Sequence, residues 1–376
     1  MAGSTFGTIL RATTWGESHG KGIGVVVDGC PAGLPLEEAD IQVYLDRRKP
    51  GQSKFTTARQ EGDHVEILSG VFEGKTTGTP IALEVRNTDQ RSHDYGNIMD
   101  VYRPGHADYT FDEKYGFRDY RGGGRSSGRE TTGRVAAGAI ACKLLASLGI
   151  TVRAYTRSVG EIEIDYGRFC LDEMWNNRLY MPDAQSAAQA ERYLEEMMAE
   201  KDSCGGVVEC VIHGMPAGVG EPVFEKLDAG LAKAMLSIGA VKGFEIGDGF
   251  AAARSRGSVN NDGFRMTSSD EDGGMLFKNR VVKSSNHSGG TLGGMSDGSD
   301  TVMRAAFKPT PSIARTQHTV TRNGEETDIE IKGRHDPIIV PRAVVVVESM
   351  AALTVADLLL LSMTSRVDRI REFFGR

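Results

Sequence analysis

The chain has 376 residues, 39% of them hydrophobic and 25% charged, with a formal net charge of −7. There is apolar material enough for a large core, and a net negative chain is poorly suited to general nucleic-acid or membrane-surface binding. Five cysteines (Cys30, Cys142, Cys170, Cys204 and Cys210) are odd in number and form no CxxC pair, which argues for core positions over a disulfide framework or zinc site. No apolar leader opens the chain. The longest apolar run, Ala343 to Met363, is broken by Glu348, Ser349, Thr354 and Asp357, so no membrane span and a cytoplasmic location are expected.

In chain order, residues 5–15 read as one short strand, followed by a polar turn at Gly16-Glu-Ser-His-Gly20. Ile23 to Asp28 reads as a buried strand ended by Gly29 and Pro31. A helix opens near Pro35 and Glu37-Glu38 and runs to Arg48, with Ala39, Val43 and Leu45 expected inward. Arg47, Arg48 and Lys49 suit the negative end of its dipole. Val65–Leu68 and Ile81–Val85 look like an antiparallel pair. Residues 87–121 are polar and irregular, and so long a loop in a compact protein is usually functional. Val135 to Leu148 has helical spacing, then Ile150–Val159 reads as a strand. Next come an amphipathic helix from Ala184 to Lys201 opened by Asp183, a strand over Gly206–Ile212, and a helix from Phe224 to Met235. Residues 254–298 show little periodicity and read as a lid or insertion, before a strand at Val302–Phe307 and a buried helix from Arg342 to Met363.

No linker divides the chain and no repeat appears. The expectation is a single α+β domain over residues 1–376, with helices packed between antiparallel sheets as a β-α-β sandwich and with long functional loops.

The chemistry concentrates in Arg121-Gly-Gly-Gly-Arg-Ser-Ser-Gly-Arg-Glu-Thr-Thr-Gly-Arg134. A glycine loop leading into a helix presents bare N–H groups and the positive dipole end, which suits an anion. Arg121, Arg125, Arg129 and Arg134 add guanidinium forks for phosphate or carboxylate. A solvated loop capped by Ser127 and Glu130 is the plainer alternative. The stretch fits neither a Walker A loop, since Gly128 precedes Arg129, nor the dinucleotide fingerprint, since Ser127 stands where its third glycine belongs. His19, His106 in Pro104-Gly-His-Ala-Asp108 and His335 in Gly333-Arg-His-Asp-Pro337 sit in polar, glycine-flanked loops, where imidazole can deliver or accept a proton. None has metal-ligand spacing, so no metal is expected.

Together Gly16-Glu-Ser-His-Gly20, Arg103-Pro-Gly-His-Ala-Asp-Tyr109, Arg121 to Thr131 and Gly333-Arg-His-Asp-Pro337 resemble the chorismate synthase family, over nearly the whole chain. Val71-Phe-Glu-Gly, Leu236-Ser-Ile-Gly-Ala-Val-Lys-Gly and Ser285-Asn-His-Ser-Gly-Gly fit as well. The resemblance implies a lyase of the shikimate pathway of aromatic amino acid biosynthesis, which eliminates phosphate 1,4-anti from 5-enolpyruvylshikimate 3-phosphate to give chorismate. It implies reduced FMN without net redox change, electrons from NADPH or from an external flavin reductase, and a homotetramer.

Carried onto this chain, the resemblance makes His19 the acid for the departing phosphate. His106 would lie by the flavin N1 side, Asp336 would take the N5 proton, and Ser18 and Ser127 would support proton traffic. FMN would be held by Arg125, Ser126, Ser127, Gly239, Ala240, Gly293, Lys308, Pro309, Thr310, Pro311, Ser312 and Arg334. Substrate or NADP anions would meet Arg48, Lys54, Arg129, Arg134 and Arg342. Lys54 stands where relatives often have arginine, trading a fork for a point charge, and Pro311 where they often have a small hydroxyl residue. Two other classes stay open at this level: an ordinary flavin oxidoreductase, and a non-catalytic nucleotide- or RNA-binding protein using the Arg/Gly loop. The loop is single rather than repeated, which counts against the latter.

Overall fold

The computed structural model describes residues 3–51, 55, 62–87, 99–266, 281–331 and 336–375. A hairpin of β1 (Thr5–Phe6) and β2 (Arg11–Gly16) leads into β3 (Gly22–Asp28) and helix α1 (Glu38–Arg48). Then come β4 (Val65–Ile67), a small hairpin of β5 (Val71–Phe72) and β6 (Lys75–Thr76), and β7 (Ile81–Arg86). The first sheet runs in the order β1-β2-β3-β7-β4. The short helix α2 (Asp108–Tyr115) precedes the central helix α3 (Thr131–Ser147). The second sheet gathers β8 (Thr151–Val159), β9 (Ile162–Glu163), β10 (Gly206–His213), β11 (Val241–Ile246) and a later strand, with α4 (Ala184–Ala199) and α5 (Leu227–Leu236) between them in sequence. After α6 (Gly257–Asn260) come the pairs β12 (Phe264–Met266) with β13 (Val281–Lys283) and β14 (Thr291–Leu292) with β15 (Met295–Ser296). The later strand is β16 (Thr301–Phe307), which completes the order β11-β16-β10-β8-β9. A hairpin of β17 (Thr316–Val320) and β18 (Glu326–Glu330), then α7 (Val340–Ser362) and α8 (Val367–Phe374), end the chain. Every strand pairing among the described residues is antiparallel.

Helices α3 and α7 lie between the sheets, α3 against β2, β3 and β7 and α7 against β8 and β10. Small residues set how close these layers come. A Cβ at Gly138 of α3 would fall 2.2 Å from the Ser349 Cβ of α7, and one at Gly24 of β3 would fall 2.3 Å from the Trp15 ring. Both glycines are therefore packing requirements: an alanine at Gly138 would push α3 and α7 apart, and one at Gly24 would displace the Trp15 ring from the neighbouring strand of the same sheet. The layered α+β arrangement read from the sequence is the one present.

Several local expectations need correction. Residues 5–15 form two strands, because Gly7 turns the chain at φ +96° where a Cβ would strike the Leu10 carbonyl. The inward face of α1 is Ile41, Leu45 and Arg48; Ala39 and Val43 are exposed, the latter at 63%. An arginine lies at the i+7 position where an apolar residue would be expected to complete the stripe. Residues 87–121 contain α2, and α5 starts at Leu227 because Val223 takes φ +71° and Phe224 stays exposed. The described part of 254–298 is organised rather than lid-like. Asp262 accepts from Lys283 Nζ (3.1 Å), Ser285 Oγ (2.7 Å), and the His287 and Ser288 amides (2.9 and 3.0 Å). Burial opposes its charge, yet these donors hold the carboxyl well below the usual range.

Helix α7 is the buried apolar helix that was expected, starting two residues earlier: its 23 residues are long and apolar enough to cross a bilayer, and most of them are buried inside the protein. Its acids are used internally. Glu348 pairs with Arg47 at 2.7 Å and accepts the Ala154 amide of β8, and Asp357 accepts the amides of Thr8, Ile9 and Leu10 at 2.6–2.9 Å. Cys30, Cys142, Cys204 and Cys210 are buried thiols and Cys170 is exposed; none is in a disulfide.

Candidate active site

The turn between β2 and β3 carries Ser18 and His19, with Ser18 Oγ 3.1 Å from His19 Nδ1. The glycine loop lies directly on it. A Cβ at Gly122, where φ is +90°, would fall 2.6 Å from His19 Cε1 and 3.2 Å from Ser18 Oγ. Glycine is needed there for the backbone conformation and for the approach to the imidazole. Arg121 clamps Asp119 through two bonds of 2.7–2.8 Å, holding that carboxyl below the usual range.

His106 sits just before α2, its Nε2 2.7 Å from Ser312 Oγ in the segment after β16. Two further bonds fix this meeting. Lys308 Nζ donates to the Gly105 carbonyl (2.8 Å), and Arg103 grips Asp108 with two 2.7 Å bonds while also reaching the Gly122 carbonyl at 3.3 Å. Thus the His106 loop, the 308–312 segment and the loop over His19 are one bonded unit. Lys308 N also donates to the Ala240 carbonyl (3.0 Å), bringing the Gly239-Ala240 turn alongside, with Ala240 at φ +72°. Within the 308–312 segment, Thr310 Oγ1 is buried without a hydrogen-bond partner among the described residues.

The third part is an arginine cluster. Arg48 is 1% exposed and donates from NH2 to Asp63 Oδ2 at 2.5 Å; Arg129 NH1 pairs with the other oxygen, Oδ1. Asp63 is itself 2% exposed and takes φ +47°, uncommon for a residue with a Cβ. Burial would push its carboxyl up, but Arg48 and Arg129 hold it down. Burial pulls the Arg48 guanidinium down to about 10; Asp63 opposes this, and Arg342 and Arg129 add to it. Arg342 donates to the Arg48 carbonyl (3.1 Å) and to Asp336 Oδ2 (2.7 Å), so Asp336 joins the same assembly. Among the described residues two buried arginines share one carboxylate, an arrangement suited to an anion.

The remaining expected residues fall into two groups. Arg125 donates to Gly16 O, Thr14 O, Thr14 Oγ1 and Ser4 Oγ, which fastens the loop to β2, and Arg134 pairs with Glu130 at 2.7 Å and reaches Ser237. The four loop arginines are therefore each engaged with protein groups, rather than forming the open cationic cluster that the sequence suggests. Ser126 Oγ donates to Gly123 O, and Ser127 Oγ accepts the Arg129 amide as the cap of the turn at Gly128–Glu130. Two 3-10 turns separate the glycines from α3, so the loop does not run straight into that helix. Gly293 lies in the turn between β14 and β15, and Pro309 and Pro311 flank Thr310. A Cβ at Gly105 would come within 2.8 Å of Pro311. Lys54, Arg334 and His335 lie outside the described residues.

Sequence reasoning missed Asp63, Asn87 and the Arg103–Asp108 clamp. Arg103 and Asp108 were inside a recognised motif, and Asn87 directly follows an alternating strand into a loop already marked as functional. Nothing in the local pattern singles out Asp63. Among the described residues no cluster of His, Cys, Asp or Glu has the form of a metal centre.

Fold and site together define an α+β protein in which two loop histidines and a buried arginine cluster are carried on loops that are hydrogen-bonded to one another. The family model for chorismate synthase matches residues 10–360. The chorismate synthases of Agathobacter rectalis and Lachnospira eligens are 65% and 63% identical to the chain, each over 376 residues and 100% of both sequences. A crystal structure of chorismate synthase aligns with a TM-score of 0.74 at 32% identity, covering 98% of this chain and 97% of that one. The chain belongs to the chorismate synthase family.

Proposed function

We propose that the chain eliminates phosphate 1,4-anti from 5-enolpyruvylshikimate 3-phosphate to give chorismate in the shikimate pathway, with reduced FMN as cofactor and no net redox change. The observation that carries this reading is the buried Arg48–Asp63–Arg129 cluster, whose two guanidinium groups suit a substrate bearing one phosphate and two carboxylates.

The residues present fit a flavin. A buried, unpartnered Thr310 hydroxyl and the His106–Ser312 pair line the segment where the family places FMN, beside Gly239-Ala240. Ser126, Ser127, Gly293, Lys308, Pro309 and Pro311 complete that side in this reading, with Arg125 acting through the backbone it fastens. When bound, reduced flavin supplies electron density to the carbon–oxygen bond that breaks.

The chain's own groups handle charge and protons. His19, buttressed by Ser18 and covered by Gly122, donates a proton to the departing phosphate and so lowers the cost of its charge. His106 holds negative charge on the cofactor side. Asp336, paired to Arg342 at 2.7 Å, accepts a proton at its carboxylate. Arg48, Arg129 and Arg342 hold substrate anions, while Lys54 and Arg334 extend the set and Arg134 braces it through Glu130.

A single domain, a cytoplasmic location and a homotetramer belong to the same reading, as does electron supply from NADPH or a separate flavin reductase. One continuous hydrophobic core joining both sheets supports the single domain.

The test mixes the protein with photoreduced FMN and the enolpyruvyl substrate anaerobically, with no hydride acceptor. Stoichiometric phosphate and chorismate absorbance are expected; neither would appear from a flavin oxidoreductase or a binding protein. His19→Ala should lower turnover by about 10²–10⁴-fold with FMN affinity unchanged, and a normal rate would remove His19 from the mechanism. Light scattering reads the oligomer, and activity with NADPH in place of light reads the electron source.

A further inference from the structure

Asn87 is the first residue after β7 and has no role in the chemistry above. Its side chain meets two parts of the site at once. Nδ2 donates to the Glu17 carbonyl (3.1 Å) and the Gly20 carbonyl (2.8 Å), the residues on either side of Ser18-His19. Oδ1 accepts from Arg129 Nε at 2.9 Å, and the backbone amide donates to the Lys21 carbonyl at 3.1 Å. The amide orientation is fixed by this chemistry, since carbonyls can only accept and a guanidinium can only donate. No other residue type places two donors and one acceptor on so short a stem. Aspartate would turn its oxygens on two carbonyls, and serine has too few protons.

We infer that Asn87 is a positioning residue, which couples the His19 turn to Arg129 so that the proton donor and the anion-holding arginine keep one fixed separation. This rests on the functional reading above. The turn has its own Gly20 to Glu17 bond of 3.1 Å, but that bond leaves its tilt relative to the arginine cluster open. Asn87 closes that degree of freedom. An acid displaced by about 1 Å from the leaving oxygen loses on the order of 10²-fold in rate, so the consequence belongs in kcat rather than in binding.

The experiment compares Asn87→Ala and Asn87→Asp with wild type in the reduced-FMN assay, with thermal unfolding in parallel. Asn87→Ala is expected to lower kcat about 30–100-fold, with KM changing less than kcat and the melting temperature within a few degrees of wild type. Asn87→Asp keeps an acceptor for Arg129 but loses both donors to the turn, and is expected to be as slow as Asn87→Ala. Adding Asn87→Ala to His19→Ala should cost little further, because the group it positions is gone. Wild-type kcat in Asn87→Asp would overturn the coupling, as would the same proportional loss with and without His19. Failure of the wild-type protein to form chorismate would instead reject the functional reading beneath it.

Discussion

Arg47 and Arg48 are neighbours in α1, both largely buried and both paired with a carboxylate, yet their surroundings differ in the sign of the leftover charge. Arg47 has Glu348 largely to itself, through bonds of 2.7 and 3.2 Å, and burial is outweighed so that its guanidinium is held more firmly charged. Arg48 shares Asp63 with Arg129 and feels Arg342, and its guanidinium is drawn down to about 10. A balanced buried pair ties α1 to α7 and needs nothing more. An unbalanced one is costly without a ligand and becomes favourable when an anion arrives. Consecutive residues of one helix, about 100° apart around its axis, thus meet a carboxylate of their own and a shared one.

The sharpest way to break this comparison is to delete each arginine in turn. Arg47→Ala leaves Glu348 buried and unpaired between α7 and β8, and is expected to cost about 3–5 kcal/mol of stability, read by denaturant unfolding. Its KM in the folded fraction should be near normal. Arg48→Ala leaves a balanced Asp63–Arg129 pair, so stability should change by under about 1 kcal/mol. KM for the enolpyruvyl substrate should instead rise about 10–100-fold, which is roughly 1.4–2.8 kcal/mol. If Arg48→Ala unfolds as readily as Arg47→Ala and keeps its KM, the distinction between the two residues is wrong.

The same pair shows how far the sequence could be read. The basic end of α1 was visible, but on spacing alone dipole compensation and ligand contact were indistinguishable for Arg47-Arg48-Lys49. The partners decide between them, and they come from 15 and 301 positions away. Layers and most strands were legible because alternation and buried runs are local. The α1 inward face was misread because a buried arginine took an apolar place in the stripe; α7 was legible as a buried apolar helix, but the partners of its acids lie in distant strands and loops. The histidine and glycine motifs could be picked out locally. That Gly122 lies on His19 and that Asn87 bridges to Arg129 could not, since such contacts depend on how separate loops meet.

Asp63 offers a weaker but pH-resolved test of the same cluster. Its carboxyl is held below the usual range in the folded protein, so its stabilisation is present above the unfolded value of about 4 and is lost as pH falls below that. Asp63→Asn removes the charge while the amide oxygen still accepts one guanidinium, and should cost about 1–2 kcal/mol at pH 7. Its acid-unfolding profile should be flatter than wild type below about pH 4. Inorganic phosphate should stabilise Asp63→Asn more than wild type, because both arginines then face the anion without competition. Equal stabilisation would mean that Asp63 and the anion do not share those arginines.

The smallest expected effect concerns Ser127, which caps the turn that presents Arg129 and has no equivalent beside Arg47. Its Oγ accepts the Arg129 amide at 3.2 Å, so Ser127→Ala should cost about 1 kcal/mol through the lost cap alone. Ser127→Asn restores an acceptor suited to capping but supplies no hydroxyl. If the cap is all that Ser127 contributes, the asparagine variant recovers both stability and turnover. If its hydroxyl also serves the proton path to the phosphate, stability returns while turnover stays low. The second outcome is expected, because the hydroxyl accepts in the cap and keeps its own proton available to donate.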